Sequence, residues 1–160
     1  MHYEVIIQKV MEILVMRSRS KLVVSLMNPV PPEKVLIRYG QILIKDISLS
    51  FLQSYLDGES TTTWEKWIRK AEEFGSEVAL QVACDGILQQ INLNLLSGYK
   101  AKLYSKEGRQ ITTVNPQILS YAEVAMLPPG CLLLIRKNQL ATPLAKEELT
   151  KRNIKMMERL

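Results

Sequence analysis

From Leu22 to Met157 the chain alternates short apolar runs of strand length with segments whose apolar residues recur at helical spacing. That alternation limits the fold more than any other feature. Each apolar run needs neighbouring strands, and each helical stripe needs a surface to cover. Leu22–Leu26, Val78–Val82 and Ile154–Met157 read as strands, and of the short apolar pieces Val35–Arg38 and Gln41–Ile47 at least one is expected to be a strand. Cys131–Ile135 is almost wholly apolar after Pro128-Pro129-Gly130, which places it at the centre of a sheet. Ser50–Leu56 is expected as a brief helix ending at Gly58. Thr62 and Glu65 have the spacing of a capping box for a helix with Trp64, Trp67, Ile68 and Ala71 on one face, stopped by Gly75. Both tryptophans are expected as core anchors. Ile87–Leu96 is expected to be mostly helical and closed by Gly98. Lys102–Tyr104 and Gln110–Val114 flank Lys106-Glu107-Gly108 in the pattern of a hairpin. Ser120 with Glu123 makes a second capping box, and Thr142 caps a last helix that has Pro143 at its first position. The expected architecture is α/β: a single domain over residues 21–160, its mixed β-sheet flanked by helices, preceded by an N-terminal amphipathic helix over residues 1–20.

That first helix puts Tyr3, Ile6, Ile7, Val10, Ile13 and Leu14 on one face and Glu4, Gln8, Lys9 and Glu12 opposite. Met11 and Val15 widen the stripe. Arg17, Arg19 and Lys21 put positive charge near its end, where the helix dipole favours it. A helix shorter than about 15 residues is marginal alone in water, so this one is expected to dock. Its own sheet and a partner protein are both open as the surface it docks on. The six stripe residues are the candidate partner-binding set.

The residues of catalysis are sparse. The only histidine is His2, so a histidine-based triad or metal site has little to draw on. No G-x-S-x-G, Walker loop or G-x-G-x-x-G is present, and the seven glycines stand singly at element ends. Glu72-Glu73 and Glu147-Glu148 read as solvated charges on helices. Cys84 and Cys131 lie in apolar stretches and are both expected to be reduced and buried. Cys84-Asp85-Gly86 follows a strand, but Asp85 beside the thiol disfavours a thiolate. Asp46 ends a strand ahead of a helix and reads as a structural carboxylate. The expectation is a non-enzyme with no catalytic residues, no cofactor and no metal. The alternative is a small-molecule- or nucleotide-binding enzyme working near Asp46 and Cys84.

Charge adds a second alternative. The net charge is +5; residues 1–80 carry ten basic and ten acidic side chains, and residues 81–160 carry eleven and six. A basic half can attract nucleic acid or an acidic protein surface. Here the lysines and arginines are spread out with no RNA-binding motif, so a basic RNA-binding module ranks below a solvated protein surface. No apolar run nears the roughly 18 residues of a membrane span. The N-terminus lacks the basic region and unbroken apolar core of a secretory signal. The expected location is the cytoplasm.

The run Ile118-Leu-Ser-Tyr-Ala-Glu-Val-Ala-Met-Leu-Pro-Pro-Gly130, then Cys131–Lys137, Leu140–Ala145 and Arg152-Asn-Ile154, resembles the end of the PduM family of propanediol-utilisation microcompartment proteins. Order and spacing both agree. Ile42–Asp46 followed by Leu49–Leu56 is similar to that family's strand-Asp-helix passage, and Gly108 falls at its hairpin. Thr142-Pro-Leu-Ala145 is similar to a tail of other microcompartment proteins. Pro128-Pro129 departs from the family pattern, so its loop shape does not carry over. The resemblance implies a non-catalytic structural and assembly component of a bacterial microcompartment. It would be an adaptor to shell proteins or encapsulated enzymes of a diol, ethanolamine or choline pathway. It also makes the first helix a candidate encapsulation signal.

Overall fold

A single residue, Ser20, separates the first helix from the first strand in the computed structural model, which describes residues 2–58, 61–96 and 101–160. The helix is α1 (His2–Arg19) and the strand β1 (Lys21–Ser25). A 3-10 helix (Glu33–Ile37) leads to β2 (Gln41–Ile47), followed by α2 (Leu49–Leu56), α3 (Thr63–Glu73) and β3 (Glu77–Val82). A second 3-10 helix (Asp85–Gln90), α4 (Leu93–Leu96) and β4 (Lys102–Tyr104) come next. The C-terminal part holds β5 (Ile111–Thr113), β6 (Ile118–Leu119), α5 (Tyr121–Ala125), β7 (Leu132–Ile135), β8 (Leu140–Ala141), α6 (Pro143–Lys151) and β9 (Lys155–Glu158). This is a single α/β domain with an N-terminal helix, the class read from the alternation.

The ladders are parallel. One sheet has the order β1-β2-β3-β4, a second β5-β7-β9, and β6 pairs with β8. The two larger sheets adjoin at an antiparallel bridge between Tyr104 and Gln110, where the hairpin was expected. Its turn forms: Gly108 adopts φ 82°, and Ser105 N–H donates to Arg109 O at 2.9 Å. Its arms then diverge, because β4 joins β3 and β5 joins β7. Each three-residue arm gains a ladder on a neighbour that buries Leu103 or Ile111 in the core.

Alternation decides which layer each strand serves. Ile42, Ile44 and Ile47 of β2 and Val78, Leu80 and Val82 of β3 point to one core with Leu36, Leu52, Trp67, Ile68 and Ala71. In β7, Leu132 and Leu134 join that core, whereas Leu133, with Cys131 just ahead of the strand, enters a second cluster with Val124, Ala145, Leu149 and Ile154. β7 is therefore buried on both faces and central in its sheet, which explains its unbroken apolar run. The outer face of β1–β4 is different. Lys21, Val23, Gln41, Lys45, Glu77 and Lys102 are exposed there, and Leu43 and Ala79 are half-buried.

Of Val35–Arg38 and Gln41–Ile47 the second is the strand, and Ile87–Leu96 is mostly helical as expected, so the local expectation that needs correction is the burial of Cys84. Val35–Arg38 lies mostly in the first 3-10 helix: only Leu36 is buried and Ile37 is 62% exposed, so no strand-like alternation exists to be paired. Ile87–Leu96 is a 3-10 helix and one short α-helical turn, parted where Ile91 is extended (φ −79°, ψ 141°). The expected stop at Gly98 lies outside the described residues. Cys84 is exposed, because it lies beyond the end of β3 in extended backbone (φ −151°) where the chain leaves the sheet; Cys131 is buried as expected. Trp67 is buried and Trp64 half-buried, in edge-to-face contact at 5.7 Å.

The capping box of α3 carries a testable charge. Glu65 is 1% exposed and accepts from Thr61 N–H at 2.8 Å, Thr62 N–H at 2.9 Å and the Ser54 hydroxyl at 2.7 Å. Burial pushes its pKa up, but the hydrogen bonds from Thr62, Ser54 and Thr61 together hold it below the ordinary 4.5. A lowered folded pKa means the stabilisation is present above the unfolded value and is lost as pH falls through the folded one. Glu65→Ala should cost about 2 kcal/mol at neutral pH by orphaning these donors. Thermal melts should also show a shallower acid-side fall in Tm than in the wild type. An equally steep fall would mean other carboxylates govern acid unfolding.

Candidate functional site

α1 is an 18-residue helix, about 27 Å long, and its candidate residues are in solvent. Tyr3 is 82% exposed, Ile6 57%, Ile7 62%, Val10 49%, Ile13 60% and Leu14 52%. At roughly 100° per residue these six, with Met11, fill a continuous apolar arc of about 160°. All six candidates are brought together on one face, and none contributes to either core cluster. Such an arc is broader than the seam of a two-stranded coiled coil. It has the width of a helix that lies on a globular surface or in a groove. A contiguous apolar surface of this kind marks an interaction site.

The root of the helix is fixed. Arg17 donates to Leu36 O at 3.2 and 3.3 Å, to Phe74 O at 2.8 Å and to Ser76 Oγ at 3.0 Å. Gly40 N–H donates to Arg17 O at 2.8 Å, and Gln41 Nε2 donates to Ser18 O at 3.1 Å. Gly40 is buried at this crossing: a Cβ there would lie 2.6 Å from Arg17 O and 2.8 Å from Ser18 Cα. Only glycine lets the helix end approach this closely. Gly40→Ala should therefore displace the α1 root and cost about 1–2 kcal/mol by overpacking. Hydrogen exchange should rise at Arg17–Ser20 in this variant; unchanged exchange and an unchanged Tm would show that the root can give way freely.

Sequence reasoning read Arg17 only as a dipole partner and did not single out Gly40. Arg17's contacts lie 19 to 59 residues away, so no local pattern announces them. The one available signal was a glycine directly before a strand with no helix of its own to terminate. Other candidates fare differently. Asp46 has φ 61° at an irregularity in β2, and its carboxylate accepts from Ser25 Oγ at 2.5 Å, tying β2 to the end of β1. Among the described residues no group of three or more His, Cys, Asp or Glu side chains could hold a metal ion. No helix among them is long and apolar enough to cross a membrane. Part of the basic excess is structural: Arg109 donates to Gly130 O and Asn153 O at 3.0 and 2.8 Å, and Arg152 donates to Val124 O at 3.0 Å and to Ala125 O.

A family model described as "Putative propanediol utilisation" matches residues 5–155. The chain belongs to this propanediol-utilisation family. The matched range runs from within α1 to the first residue of β9, so it takes in the fixed root and five of the six stripe residues; Tyr3 precedes it. No curated protein and no solved structure shows significant similarity to this family member.

Proposed function

We propose that this propanediol-utilisation family protein is a PduM-like, non-catalytic assembly component of a cytoplasmic bacterial microcompartment. It acts as an adaptor, with α1 as the element that docks on a shell protein or an encapsulated enzyme. The observation that carries the reading is the solvent-facing stripe of Tyr3, Ile6, Ile7, Val10, Ile13 and Leu14 on a helix that, among the described residues, is held at its root. Helix-in-groove recognition uses anchors at this i, i+3, i+4, i+7 spacing. Each such side chain contributes roughly 1.5–3 kcal/mol when fully buried, against a substantial loss of freedom on association. The fixed root lowers that loss, because the helix is presented in one orientation. The absence of nucleophile and phosphate-loop motifs from the sequence supports a non-catalytic role. Lys106, Lys137 and Lys146 are exposed in the basic half and supply steering towards an acidic partner.

The test is fractionation. A tagged full chain expressed in cells making propanediol-utilisation microcompartments should sediment with the shell proteins and resist a salt wash. Recovery of the chain only in the unsedimented fraction would overturn the proposal.

A further inference from the structure

Two surfaces of this chain lack the layer that ordinarily covers them. Among the described residues no sheet lies beneath the apolar stripe of α1. The outer face of β1–β4 has no apolar cover among the described residues, although parallel sheets normally bury both faces under helices. α2 and α3 serve only the inner face, where Phe51, Leu52, Trp67 and Ile68 meet the core. The two deficits cannot cancel within one copy. Ser20 is the only residue between Arg19 and Lys21, whereas reversing a helix onto its following strand takes a loop of about 2–6 residues. Arg17 and Gly40 fix the helix end at the same place.

We infer that the outer face of β1–β4 is a docking surface, and that its occupant in the free protein is α1 of a second copy. The two copies form a two-fold pair in which each lays its helix on the other's sheet. This rests on the reading of α1 as a docking element, and names what holds the helix before a shell or cargo protein does. Dimensions agree: Tyr3 to Leu14 spans about 17 Å of helix, and the five to seven residues of β1 and β2 span about 17–23 Å of strand. The centre of the face is apolar, since the register aligns Val23, Leu43 and Ala79 in one row across three strands. An open depression of about 360 Å³ lies over this part of the sheet. The broad stripe suits a flat sheet better than another copy of the same helix. A reciprocal pair uses each surface once and closes, so it does not propagate into a filament. The seven stripe residues with Met11 included expose an apolar area on the order of the ~800 Å² per partner of a standard interface, and the two-fold counts it twice.

Sedimentation of the purified full chain should give twice its 18.3 kDa mass, and Val10→Asp and Leu43→Glu should each return it to monomer. The arrangement is read by cross-linking in a Cys84→Ser background, which removes the exposed thiol. Val10→Cys chains mixed with Leu43→Cys chains should form a disulfide-linked dimer under mild oxidation, and Val10→Cys chains alone should not. A monomeric wild type, or ready self-linking of Val10→Cys, would overturn the inference; the second outcome would mean that helix packs on helix. Co-purification with microcompartments is scored separately. A monomer whose α1 variant loses co-purification defeats the dimer but keeps the docking element. A dimer whose α1 variant still co-purifies defeats the docking to shell or cargo and keeps the dimer.

Discussion

Compared at a dilution where the wild type is monomeric, the double variant Val10→Asp/Leu14→Asp should melt within about 4 °C of it, and its recovery with microcompartments should fall at least tenfold. Both side chains are about half exposed, at 49% and 52%, and neither packs in a core cluster. The cost to folding is therefore limited to helix propensity, about half a kcal/mol per aspartate. The cost to docking is far larger, because two carboxylates would enter the centre of whatever apolar surface receives the stripe. Either aspartate alone supplies more than the ~1.4 kcal/mol that a tenfold loss requires. Melting temperature and recovery measured on the same preparation separate the cases. A sharply lowered Tm would mean that α1 belongs to the core. Unchanged Tm with unchanged recovery would sink α1 as the docking element and point to the basic C-terminal half.

Leu133→Ala should produce the largest loss of stability, about 3–4 kcal/mol, or roughly 10 °C in Tm for a domain of this size. Leu133 is fully buried in β7 and fills the second cluster against α5 and α6, where Val124 and Ala145 are also fully buried. Its strand neighbours Leu132 and Leu134 serve the opposite core, so the backbone is gripped from both sides and cannot collapse into the cavity. Because one strand feeds both clusters, the variant should unfold in a single transition with coincident near-ultraviolet and far-ultraviolet signals. An early transition that leaves the α2–α3 side intact would show two folding units where residues 21–160 are read as one.

Much of this protein was legible in one dimension. Apolar alternation in Ile42–Ile47 and Val78–Val82 determines which side chains face the core, because a strand's side chains reverse at every residue. Capping residues Thr62 and Thr142 accept from the backbone at helix starts, a local geometry that sequence spacing can encode. The α1 stripe was equally plain. What the sequence left open was its destination, since a helical stripe records only that something apolar should cover it. The tertiary structure decided that: Arg17 reaches Leu36, Phe74 and Ser76 across the fold, and Gly40 admits the helix end, so α1 stands away from its own sheet. Pairing was decided there as well. Lys102–Tyr104 and Ile111–Thr113 carry a correct hairpin turn, yet ladders to β3 and β7 outcompete each other's edges. Exposure of Cys84 followed from where β3 ends, one residue before the chain turns away. Periodicity and caps act over a few residues and survive in sequence; partner choice and docking compare distant surfaces, and only the folded chain makes that comparison.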